Sequence, residues 1–265
     1  MNLITTFPNK TEFEKAKNKL DELLLDYGLI VPSDSYAFVG VTAIVLVENA
    51  YNILHESGFD FVCSGWIDCA EINSTASGQR PPCYNEDIFG KAHIMFTANC
   101  TADTSRIRLI AHTEKDISSS FPYINAVRND VSFNNEWQML TFMDEYRMIS
   151  LYPNRITVAK LDDIADGWRV LENIRRLVNE TYADRNEIEP CYEKKVRPSV
   201  LEIFKRLPGI SCRACGEMTC MAFASSVWSG NRLPIECTPI INGEFSHLKD
   251  AYLEICSGVV NMQLI

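Results

Sequence analysis

Apolar positions first recur at helical spacing at Phe13, Ala16, Leu20, Leu23 and Leu24. Thr11 and Glu14 stand in the order of a capping box, and Gly28 follows as a stop. The pattern predicts a helix of about four turns. Residues 36–39 read as a short strand. Residues 42–57 carry two signals, because the first half is β-branched while Ile44, Val47, Tyr51 and Leu54 keep helical spacing up to Gly58. Helix is the preferred reading of that segment, and 59–66 then reads as a strand. Residues 67–90 look irregular, with turn chemistry from Asn73 to Gly78 and at Pro81-Pro82.

The middle of the chain alternates with the period of a strand. Ile94, Phe96 and Ala98 do so, as do Ile107, Leu109 and Ala111. Residues 139–143 and 148–152 flank the polar turn Asp144-Glu145-Tyr146, a hairpin pattern, and 155–159 is a further strand. The clearest helix covers 163–185, with Asp162, Asp163 and Asp166 at its positive end and Ile164, Trp168, Leu171, Leu177 and Val178 on one face. These elements predict an α+β fold, an antiparallel sheet with helices packed on one side, followed by a small mostly helical domain. The polar, proline-containing stretch 186–196 reads as the linker, dividing 1–187 from 188–265. A last helix is predicted at 248–259.

Composition narrows the function. A 265-residue chain with 46% apolar residues builds a core without help from metal. Its net charge of −10 repels phosphate backbones and anionic lipid, so neither nucleic acid nor a membrane surface is an expected partner. No apolar run approaches the roughly 20 residues of a membrane span, and the first residues lack the features of a secretory leader. The cytoplasm is the expected location, where ten cysteines are better read as ligands, reactive thiols or core residues than as disulfides.

Four of those cysteines, Cys212, Cys215, Cys220 and Cys237, form C-x2-C-x4-C-x16-C within LPGISCRACGEMTCMAFASSVWSGNRLPIECTPI. A C-x2-C step lets two thiolates converge within one turn. Gly216 permits close folding of the backbone around inorganic sulfide. Thr219 is placed to cap a helix starting at Cys220, and a turn at Pro234 returns Cys237 as a fourth ligand. An iron–sulfur cluster is the leading reading. Structural zinc usually presents two separated pairs and is the competitor; unmetallated thiols are the third option.

The same stretch resembles the Fe–S cluster domain in the B subunit of Rnf-type electron-transport complexes and in the large subunit of the corrinoid iron–sulfur protein. The likeness rests on Leu207-Pro208, Cys212, Cys215-Gly216, Cys220, Phe223-Ala224, Gly230 and Cys237, and covers about 50 residues. It implies a [4Fe–4S] cluster bound by the four cysteines. Many members carry glycine after the first cysteine, where this chain has Arg213, which adds a positive charge near the site. Neither a transmembrane nor a barrel segment of those proteins is recognisable, and the first 190 residues resemble no family of known activity.

Other candidates have plainer explanations. Cys63, Cys69, Cys83 and Cys100 fit no cluster loop and read as scattered core or loop thiols; Cys256 reads as a packing residue, and Cys191 lies in the linker. His55, His93, His112 and His247 are isolated, though His93 and His112 belong to neighbouring strand candidates and His247 lies near the cysteine motif. Three functions remain: electron transfer to or from a redox partner, which the resemblance makes an anaerobic or corrinoid-dependent system; a redox enzyme with a pocket in the N-terminal domain; and a cluster assembly or delivery factor.

Overall fold

Buried and exposed positions along the chain arrange themselves into an α+β protein in the computed structural model, which describes residues 1–68, 80–101 and 103–260. Its two compact units are Met1–Ser120 with Leu151–Asp184, and Phe121–Ser150 with Arg185–Ile265. In chain order the first unit supplies β1 (Asn2–Thr5), α1 (Lys10–Glu22), β2 (Gly28–Ile30), β3 (Ala43–Val47) and α2 (Glu48–Ser57). It continues with β4 (Ile67–Asp68), β5 (Ala92–Asn99) and β6 (Ile107–Thr113). Then follow α3 (Phe121–Val127), β7 (Ser132–Asn134), β8 (Met139–Asp144) and β9 (Arg147–Tyr152), after which β10 (Arg155–Leu161) and α4 (Ile164–Ala183) return to the first unit. The second unit ends with α5 (Val200–Phe204), α6 (Cys220–Trp228), α7 (Thr238–Ile241) and α8 (Lys249–Ser257).

In the first unit, a four-stranded sheet runs β2-β3-β1-β4, with β1 antiparallel to β3 from Asn2↔Val47 to Thr5↔Ile44. A second antiparallel ladder has β6 between β5 and β10, in register at His93↔His112 and Arg155↔His112. Helix α4 begins at Asp163, whose side chain accepts from the Asp166 amide (2.7 Å). It buries Trp168, Leu171, Ile174 and Val178.

Three expectations are corrected. Residues 42–57 are a strand followed by a helix: Ala43 to Leu46 alternate into a sheet, and helical geometry starts only at Glu48. The apparent 3.6 period came from residues on both sides of that junction. No strand forms over 59–66, where Gly65 turns the backbone into left-handed φ (+114°) and Ser64 shares only one backbone–backbone bond with each of Thr6 and Thr97. Residues 34–36 form a 3-10 turn instead of part of a strand, with Val39 and Gly40 amides bonded to the Tyr36 carbonyl. Cys69 and the turn-rich 73–78 lie outside the described residues.

The second unit assembles α5, α6, α7 and α8 around Ile203, Phe223, Val227, Ile240, Tyr252 and Val259. Arg197 bonds the carbonyls of Trp228 and Val259 and stacks on the Trp228 ring, tying together the ends of α6 and α8. The earlier segment joins the same unit. Phe133 and Lys195 exchange backbone hydrogen bonds, and the Asn125 amide donates to the carbonyls of Cys191 (2.9 Å) and Glu193 (3.1 Å). Gly230, at φ +75°, presses against the Glu145 carbonyl in the turn between β8 and β9, leaving no room for a Cβ.

One buried cation organises the first unit. Arg175 on α4 is fully buried and donates to the Pro82 carbonyl (2.6 Å), Glu172 (3.2 Å) and Asp87 (3.5 Å), with its guanidinium over the Phe38 ring. It fastens residues 82–87 to the helix. Removing one partner of such a buried network leaves charge and carbonyl uncompensated, so Arg175→Ala should cost about 3–5 kcal/mol. A urea unfolding curve reports it, and a loss below about 1 kcal/mol would show that the network is dispensable.

Candidate metal centre

The cysteine segment builds its site mostly from backbone. Between Gly209 and Gly216 four residues have left-handed φ: Gly209 (+73°), Ser211 (+50°), Arg213 (+63°) and Gly216 (+82°). Left-handed residues set among right-handed ones are how backbone nests for anions and cluster sulfides are built. The Gly216 amide donates to the Arg213 carbonyl (3.0 Å), closing the turn that carries Cys215. Arg213 therefore occupies a conformation that favours glycine, which gives a physical reason for the glycine common there in the resembling domains.

Cys220 is the first residue of α6. The Thr219 hydroxyl accepts from the Ala222 amide (3.0 Å), the cap expected from the sequence, and the positive end of the helix faces the thiol. Phe223, Ala224 and Val227 anchor that helix in the core. The chain then returns through a 3-10 turn, Pro234–Glu236, to Cys237. Cys237 is buried, and its carbonyl accepts from the amides of Ile240 and Ile241 (both 3.0 Å), starting α7.

These segments bring all four predicted cysteines to one pocket. Cys212, Cys215, Cys220 and Cys237 line it together with Leu207, Phe223 and Pro239. Cys212 is exposed, Cys215 and Cys220 half-buried and Cys237 buried, so the donor set spans the depth of the pocket. Among the described residues, no three His, Cys, Asp or Glu side chains gather tightly enough to hold a single metal ion. Burial pushes the Cys237 thiol up to about 11, and negative charge on Cys215, Cys220 and Cys212 adds to that.

Beneath the pocket lies Tyr252 on α8. Its buried hydroxyl donates to the Pro234 carbonyl (3.1 Å), fixing the turn that delivers Cys237. Burial pushes the Tyr252 hydroxyl upward and the neighbouring Cys256 thiol up to about 12, so both are neutral packing groups. The sequence reading assigned Cys256 to packing but had no signal for Tyr252, which looks like any apolar helix position.

The remaining candidates lie elsewhere. Cys191 is held by backbone bonds to Pro122 and Asn125, and His247 is exposed on the 3-10 turn before α8; neither lines the pocket. Cys63 packs against the core around Phe7 and Phe61, Cys100 is buried and Cys83 exposed. His93 and His112 are cross-strand partners, with His93 donating to the Pro8 carbonyl (2.7 Å).

Comparison with known proteins returns a family match over the same segment. Residues 207–239, which contain all four cysteines, match the family described as "Putative Fe-S cluster". A stretch of 56 residues is 43% identical to the acetyl-CoA decarbonylase/synthase complex subunit gamma 2 of Methanosarcina thermophila. That similarity covers 21% of this chain and 12% of the relative, so it concerns a segment and not the whole of either protein. No solved structure matches the chain. Among the described residues, no helix is long and apolar enough to cross a membrane.

Two measurements test the construction of the site. Arg213→Gly should leave stability unchanged or raise it by less than about 1 kcal/mol, whereas Gly216→Ala should cost about 1–2 kcal/mol, because only the second puts a Cβ into left-handed backbone. Equal effects in a denaturation series would show that the turn does not hold its φ angles. Tyr252→Phe should cost about 0.5–1.5 kcal/mol by removing one of the two hydrogen bonds to the Pro234 carbonyl, which keeps the Cys237 amide (3.3 Å).

Proposed function

We propose that Cys212, Cys215, Cys220 and Cys237 ligate one [4Fe–4S] cluster and that the protein exchanges single electrons with a partner protein. The observation that carries this reading is the meeting of all four thiols of the C-x2-C-x4-C-x16-C motif in one pocket, within a segment that matches an Fe–S family. The donor set suits the group: four cysteines satisfy a cubane cluster, and the left-handed turns at 209–216 are of the kind that forms anion-receiving nests. A cluster bound in this way supplies one-electron chemistry, and its four thiolates leave no iron site open for substrate.

The chain's own residues set how that chemistry is reached. Buried Cys237 and the core around Phe223 and Ile240 keep water from the inner side, while exposed Cys212 marks the side from which a partner approaches. Ile210, Met218 and Met221, all substantially exposed, surround that side with apolar surface. The relative from M. thermophila is a subunit of a decarbonylase/synthase complex, which supports a partner within a multi-subunit redox assembly. A corrinoid-dependent partner is the specific form of that proposal.

Protein purified without oxygen should contain about four irons and four acid-labile sulfides per chain and show a broad visible absorption that bleaches on reduction. Replacing any of the four cysteines by Ala should abolish that absorption, whereas Cys63→Ala should not. Zinc in place of iron would overturn the proposal, and transfer of the intact cluster to an apo-acceptor would favour delivery over electron transfer. Because Cys237 is protonated at neutral pH in metal-free protein, ligation displaces its proton, and iron loading should weaken as the pH falls.

A further inference from the structure

The segment that delivers Cys237 is joined to the C-x2-C turn by a charged bridge that includes Glu217 of the pocket wall. Arg232 donates to Glu236, one residue before Cys237 (2.8 Å), and its Nε lies 3.6 Å from Glu217, two residues after Cys215. Each carboxylate is itself held. Glu217 accepts from the Ser226 hydroxyl on α6 (3.0 Å), and Glu236 accepts from the Leu233 amide (2.7 Å). The backbone of Arg232 is fixed as well, since the amides of Asn231 and Arg232 both donate to the Ser226 carbonyl (2.9 and 3.2 Å). The guanidinium rests against Gly216, where a Cβ would stand 3.0 Å from its terminal nitrogen. The glycine thus gives the chain its left-handed turn and the cation its seat.

We infer that Arg232 is a positioning residue for the metal centre, a clasp through Glu217 and Glu236 that holds the fourth thiol opposite the other three. The inference rests on the cluster-binding role proposed above. Arg232 is 38% exposed, so its ion pairs add little to the stability of the whole protein. Their consequence is local. Cys237 is far in sequence from Cys220 and has no strand ladder to fix it, so its approach is controlled from inside by Tyr252 and from outside by this bridge. Opening the bridge frees one ligand of four while leaving the core packed.

The test uses full-length protein carrying Arg232→Gln, Glu217→Gln or both. Each single variant should lose iron to a chelator about three- to tenfold faster than the parent, and the double variant no faster than the quicker single one, since both remove one coupled unit. Melting temperatures of the metal-free proteins should stay within about 2–3 °C of the parent, because the pairs are solvent-screened. The reduction potential separates a clasp from a general weakening: loss of the cation should shift it downward and loss of the Glu217 charge upward, as Coulomb's law requires. In metal-free protein the amides of Leu233, Ile235, Glu236 and Cys237 should exchange faster in Arg232→Gln, a readout that stands even if the parent holds no iron. Parental iron release and amide exchange in both single variants, or strictly additive effects in the double, would overturn the clasp. Failure of the parent to bind iron would overturn the cluster assignment instead, and amide exchange would still judge the bridge.

Discussion

The hydrogen bond from the buried Tyr252 hydroxyl to the Pro234 carbonyl fixes the least local part of the site. Three of the candidate ligands lie close together in sequence, and their geometry follows from one turn and one helix start. The fourth arrives from a return loop that could take many paths. Tyr252 selects one of them by offering a single donor in an apolar surround, where an unmade bond would be costly. The 3-10 turn, Cys237 and α7 then follow in order, each satisfying backbone groups left by the one before.

Burial and strain divide the work of the cysteine segment. Ile203, Phe223, Ala224 and Val227 supply the apolar packing that holds α5 and α6 together. The residues from 209 to 216 contribute almost nothing to the core and instead accept unfavourable backbone angles, including two at the non-glycine positions Ser211 and Arg213. Such angles persist only where surrounding structure over-determines them, and they concentrate at sites with a ligand to receive. Among the described residues, Ser211 and Arg213 are two of six non-glycine positions with positive φ, and they flank Cys212, the first thiol of the motif.

The features legible in the sequence were those set by near neighbours. Thr219 caps α6, Asp163 caps α4, and the turn between β8 and β9 follows directly from the polar residues 144–146. The cysteine motif was legible because its ligand types are rare and closely spaced. The junction at Val47 was not, since Ile44 on a strand and Tyr51 on a helix fall into one apparent period. β1 lacked any preceding turn signal, and α3 is too short to show a period. Arg232, Glu217 and Glu236 read as ordinary surface charges, because only folding brings the distant Glu217 to the guanidinium that Glu236 reaches locally.

The contact of Gly230 with the Glu145 carbonyl bears on how such a site can be moved between proteins. By sequence the cysteine segment looks portable, a short cassette recurring in unrelated hosts. In this chain the cassette leans on residues far upstream: the turn at Glu145, the Phe133 bridge to Lys195, and Asn125 beneath Cys191 and Glu193. A graft carrying only the motif would bring its ligands and leave behind their support. A transplanted copy of this segment would need counterparts of Glu145, Phe133 and Asn125 in its new host to keep the same shape.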